Sequence, residues 1–99
     1  MAKVVNITDK LSFEENPRIQ IRDKEFEINA DAETVLLIMG DFSDKSQTEA
    51  ALSAYKRMFS EEDRNAISEM KLPFKDLMVI IEESMNLATG RQEDTEGEQ

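Results

Sequence analysis

Few side chains in this sequence could do covalent or metal chemistry. It contains no histidine and no cysteine, which removes imidazole bases, thiolate nucleophiles, thiolate metal ligands and disulfides together. Adjacent carboxylates remain, at Glu14-Glu15, Glu61-Glu62 and Glu82-Glu83. General acid–base catalysis needs two carboxyl groups in environments that separate their protonation. These pairs read instead as an exposed strand end, a helix N-terminus and a solvated helix face, so no catalytic residue is assigned. The run from Asp41 through Ser43 to Lys45 matches the opening of a calcium loop, but Ser46 occupies the glycine position and Leu52 the terminal glutamate position. No GxxxxGK phosphate loop is present, and Gly40, Gly90 and Gly97 stand alone. The expectation is a protein that is not an enzyme and has no cofactor and no metal site.

Charge narrows the partners. Twelve basic and 22 acidic residues give a net charge of −10 over 99 residues, and removing residues 91–99 still leaves 11 bases against 18 acids. The acidity therefore belongs to the folded part as well as to the tail. A field of that sign repels phosphate backbones, so nucleic-acid binding is not expected. The longest apolar run, Val35 to Met39, is far short of the ~20 residues that span a bilayer. "MAKVVNITDK" shows no apolar run leading to a small-residue cleavage site. A soluble cytoplasmic protein without a membrane partner is expected.

Hydropathy periods supply the elements. Residues 1–16 form an arm with short alternating pieces (Val5 and Ile7, Leu11 and Phe13) that ends at Asn16-Pro17. "RIQIRDKEFEIN" alternates twice around Asp23-Lys24 and reads as a β-hairpin, with Ile19, Ile21, Phe26 and Ile28 on one face. In that reading the polar face of Arg18, Gln20 and Arg22 lies across from that of Glu25, Glu27 and Asn29. Asp31 caps a first helix whose Val35, Leu36, Met39 and Phe42 share a face. "SQTE" at 46–49 is a capping box for a second helix carrying Ala51, Leu52, Tyr55, Met58 and Phe59. Ser60 and three following carboxylates open a third, with Ala66, Ile67 and Met70 inward. Pro73 opens the last helix and Gly90 stops it. The fold class is α+β, mostly α: an N-terminal hairpin, then about four helices in a single domain over 17–90, and a flexible, disordered acidic tail over 91–99.

The last helix is apolar around too much of its circumference. Phe74, Leu77, Met78, Ile81, Met85 and Ala88 make its main stripe, and Val79, Ile80 and Leu87 widen it beyond one face. The surplus must meet the hairpin, a second subunit or a partner helix. The candidate partner-binding residues are Leu77, Met78, Ile80, Ile81, Met85 and Leu87. Five internal methionines lie on or near such stripes, either as core filler or as the lining of an adaptable groove.

Taken together, the "IQIRDKEFEIN" hairpin, the middle helices, "FSEEDRNAI" and "LPFKDLMVIIEESMNLATG" resemble the small tail assembly chaperones of long-tailed phages and prophages of Gram-positive bacteria. The resemblance spans residues 18–90 and rests on element order rather than on a catalytic signature. It implies a cytoplasmic protein of the bacterial host cell that binds the tape measure protein, keeps it soluble and helps recruit tail-tube protein during virion assembly. It supplies no site residues. Two readings from the residues alone stand beside it: an acidic DNA mimic that blocks a DNA-binding protein, and a small structural or regulatory subunit that forms a homo-oligomer. Interleaved Lys24, Lys56, Arg57, Arg64, Lys71 and Lys75 argue against a pure mimic of DNA.

Overall fold

A computed structural model of the chain describes residues 2–90; the tail expected to be disordered lies outside the described residues. After a single 3-10 turn at Thr8–Lys10 come strands β1 (Arg18–Ile21) and β2 (Lys24–Glu27). Helices α1 (Ala32–Asp44), α2 (Gln47–Met58), α3 (Glu61–Glu69) and α4 (Phe74–Thr89) follow. The architecture is the expected α+β, mostly α, with the hairpin first and four helices behind it.

Local chemistry sets the helix boundaries. The Thr34 amide donates to the Asp31 carboxylate at 3.2 Å at the start of α1. Ser46 and Glu49 close a reciprocal capping box, in which the Glu49 amide donates to Ser46 Oγ at 3.2 Å and the Ser46 amide to Glu49 Oε1 at 3.4 Å. Ser60 accepts from the Asp63 amide at 3.1 Å, and three carboxylates occupy the positive end of the α3 dipole. α3 ends with Lys71 in the left-handed region (φ 54°). Pro73 is extended (ψ 161°) and caps α4, which starts at Phe74, one residue later than the sequence suggests. Gly90 takes the left-handed C-terminal position at φ 80°.

The hairpin differs from expectation in register. Arg18 pairs with Glu27, Ile19 with Phe26, Gln20 with Glu25 and Ile21 with Lys24. The turn is therefore Arg22-Asp23, with Arg22 at φ 59°, instead of Asp23-Lys24. A pairing shift of two residues keeps the same side chains on the same face, so alternation alone does not distinguish these registers. Arg18 Nη1 reaches Glu25 Oε1 diagonally at 3.3 Å.

One buried cluster holds the elements together: Phe26 and Ile28 from the hairpin, Ile38 from α1, Ala51, Ala54, Met58 and Phe59 at α2 and its end, Ile67 from α3, and Ile80 and Ile81 from α4. The Asn29 amide donates to the Met58 carbonyl at 2.8 Å, tying the strand exit to the end of α2. Two sequence-derived faces turn out to be rotated. On α1 only Ile38 is buried, whereas Leu36 is 66% exposed and Met39 and Phe42 also face outward. On α4 the buried residues are Ile80, Ile81 and Ser84, while Phe74 is 77% exposed. For α1 the reason lies in Asp41, on the Ile38 side, which α2 captures with Ser53 and Arg57. For α4 the reason is Ser84, whose small side chain lets the helix approach.

Two substitutions check this arrangement. Ser84 Oγ is buried and has no hydrogen-bond partner among the described residues, so Ser84→Ala should raise the unfolding free energy by about 1 kcal/mol. Gly40 lies within α1, and nothing stands within 4 Å of the place a Cβ would occupy there, so Gly40→Ala should add about 0.5–1 kcal/mol. Urea unfolding followed by circular dichroism reads both.

Candidate interaction surface

Because α4 meets the core through Ile80, Ile81 and Ser84, its other apolar residues line an open groove against α2. Phe74, Leu77, Met78 and Ile81 form one side, and Ala51, Leu52 and Tyr55 the other, around a cavity of about 580 Å³. A second segment of about 280 Å³ shares Gln47, Ala51, Met78, Ile81 and Glu82 with the first and adds Phe42 and Met85. Separately, Val35, Leu36 and Met39 of α1 face Ala88 and Thr89 at the end of α4 across a shallow dent. At a rise of 1.5 Å per residue, Phe74 to Ala88 is about 21 Å.

The lining matters chemically for what it lacks. It is apolar along the floor, with Gln47 and Thr48 at the rim and Glu82 the charged residue common to both segments. Its protic and acidic side chains are Thr48, Tyr55 and Glu82, with no histidine or cysteine among them. Two methionines, Met78 and Met85, flank the second segment and can follow the shape of different side chains. The arrangement suits the apolar face of a helix or an extended chain.

The candidate residues separate into three groups. Leu77, Met78, Ile81 and Met85 line the groove together, with Ile81 at its floor and the other three half-buried. Ile80 points into the core and is 9% exposed, so the structure removes it from the surface. Leu87 is half-buried and lines neither segment of the groove. Sequence reasoning missed Phe42, Leu52, Tyr55 and Phe74 as groove residues because their helical spacing pointed inward. The signal that could have found them was the excess itself: α1, α2 and α4 each carry more apolar residues than one small core accepts.

A second depression, lined by Lys45, Glu49, Leu52, Ser53, Lys56 and Arg57, is polar and has a different explanation. The carboxylate of Asp41 accepts from Ser53 Oγ and, at 3.2 Å, from Arg57 Nε, and lies 3.4 Å from Lys45 Nζ. The cluster fastens α1 to α2, and two of the depression's cations are committed to it. The Asp41 segment that superficially matches a calcium loop is helical. The hydroxyl of Ser53 lowers the Asp41 pKa, helped by Lys45 and Arg57 and opposed by burial. Asp31 is lowered as well, by its bonds from Thr34. The carboxylate pairs at 14–15, 61–62 and 82–83 are all exposed.

Comparison of the chain with protein-family models, with curated proteins and with solved structures finds no match. Among the described residues, no helix is long and apolar enough to cross a membrane.

The depressed carboxylates give a signed pH dependence. A folded-state pKa below the unfolded value of 3.8 means that the stabilisation is complete above that value and drains away as pH falls through the lower folded values. Unfolding free energy measured from pH 6 downward should therefore stay level until about pH 4 and then fall. Asp41→Asn should lower the plateau and shallow the acid slope. An unchanged slope in that variant would show that the α1–α2 clamp is not a source of the pH dependence.

Proposed function

We propose that the chain is a non-catalytic binding protein that shelters an apolar segment of another protein in the α2–α4 groove, acting as a phage tail assembly chaperone. The observation that carries this reading is the continuous apolar lining from Phe74 to Met85, left open by the way α4 meets the core. The resemblance of residues 18–90 to tail assembly chaperones supplies the client: the tape measure protein in the cytoplasm of the bacterial host cell, with tail-tube protein recruited afterward. A long helical client offers successive amphipathic turns, and a groove about 17 Å long accepts roughly 11 helical residues of it. Methionines tolerate variation among those turns. The charge of −10 keeps the loaded complex apart from its neighbours.

Co-expression tests the reading. With the tape measure protein encoded beside it, the wild-type chain should raise the soluble fraction of that client and co-purify with it. Phe74→Ala and Leu77→Ala should each weaken capture by about tenfold, as removal of a buried anchor does, while leaving the helical spectrum intact. A client whose solubility is indifferent to the chain would overturn the assignment.

A further inference from the structure

The apolar groove does not close at its Phe74 end. Tyr55 and Leu77, which line its first segment, also line a further depression of about 390 Å³, formed with α3 and the turn that follows it. The groove therefore runs directly into a space of different chemistry. The charged residues of that lining are Arg64 and Lys71, with Asn65 and Ser68 beside them and no carboxylate. Glu69 and Asp76, the acids nearest Lys71 in the chain, are not part of it.

Both cations are held in place and unpaired. Arg64 Nε donates to the Phe59 carbonyl at 3.2 Å, which fixes the guanidinium and leaves its two terminal nitrogens without an acceptor among the described residues. Its charge is felt at the shared wall, where it opposes the upward push of burial on the Tyr55 phenol pKa. Lys71 is set by the turn between α3 and α4: its φ is 54° and its amide donates to the Ser68 carbonyl at 3.1 Å. The ion pairs among the described residues use Arg18, Lys45 and Arg57 instead. On a chain of −10, two neighbouring cations with no acid facing them mark a place for a negative ligand group.

We propose that the groove and this basic depression form one composite site for an amphipathic helix whose apolar stripe ends in a short run of carboxylates, bound with its C-terminal end over Arg64 and Lys71. The stripe fills the stretch from Met85 to Phe74, about 17 Å along α4, and the next turn of the ligand lies over the cations. Helix polarity fixes the direction. The free carbonyls at a helix C-terminus carry partial negative charge and meet the cations, while the N-terminal end lies toward Glu82, the charged residue of the groove itself. Gln47 stands at the Met85 end and Tyr55 at the Leu77 end, so the bound helix runs parallel to α2 and antiparallel to α4. Carboxylates in the last turn destabilise a free helix, and the two cations remove that penalty only in the complex. Helix formation by the segment is thereby coupled to its capture. The inference rests on the groove reading of the proposed function and adds which segments of a client are selected.

Fluorescence anisotropy with the full chain and four labelled, C-terminally amidated peptides tests this. All carry the same apolar stripe over three helical turns; they differ in a flank of glutamates or lysines placed after the stripe or before it. The peptide with glutamates after the stripe should bind about tenfold more tightly than the one with lysines there. Moving the glutamates in front of the stripe should abolish the advantage, and added salt should shrink it. Arg64→Gln with Lys71→Gln should erase the preference while leaving the affinity due to the stripe. Lys71→Glu alone, at an exposed position, should reduce it several-fold without touching the bond from Arg64 to Phe59, and the helical spectrum of each variant checks its fold. Equal binding whatever the flank, or a preference unchanged in Lys71→Glu, would overturn the composite site and leave the groove reading standing. Failure of all four peptides to bind would remove both. A glutamate preference beside a tape measure protein indifferent to the chain would keep the site and change the client.

Discussion

The close approach of α1 and α4 to an alanine-rich α2 decides how the rest of the molecule is arranged. Ala50, Ala51 and Ala54 are buried on α2 with Met58, so the helices beside it come near without long side chains between them. Close backbones leave little volume to fill, and one residue from α1 and a short row from α4 suffice. The remaining apolar residues of those helices cannot enter and line the flanks instead. The groove follows from the core's small volume: a larger residue at Ala51 would help fill it and would also separate the helices that form its walls. Asp41 fixes the same arrangement from the polar side, since its bonds to Ser53 and Arg57 hold α1 in a rotation that sends Met39 and Phe42 outward.

An open apolar groove on so small a domain invites nonspecific association, and the charge distribution opposes it. The carboxylates that cap α3 and line the exposed side of α4 contribute to a net −10, which makes encounters between copies repulsive at low ionic strength. Repulsion of this kind is long-ranged, whereas burial of apolar side chains acts only at contact. A binding partner that is locally basic, or carries a long apolar stripe, overcomes the barrier; an ordinary acidic protein does not. Selectivity can thus arise from the field while the groove remains tolerant of shape.

The parts of this fold that were legible in the sequence are those fixed by interactions between near neighbours in the chain. Asp31, Ser46 with Glu49, Ser60 and Gly90 each act within a few residues, and each caps the helix that its sequence context indicates. What could not be read is rotation about a helix axis. α4 offers apolar residues over most of its circumference, and only the approach of α2 decides between Ile80 and Phe74 as the core residue. Ser84 makes the difficulty plain: a serine in the middle of an apolar helix reads as a polar edge, yet it is buried because its size, not its polarity, governs the contact. The hairpin register failed to show for a related reason, since two pairings that differ by two residues bury identical faces. Leu77, Met78, Ile81 and Met85 could be picked out as residues lining an apolar groove through the excess of apolar surface, while Ile80 was not separable from them by spacing alone.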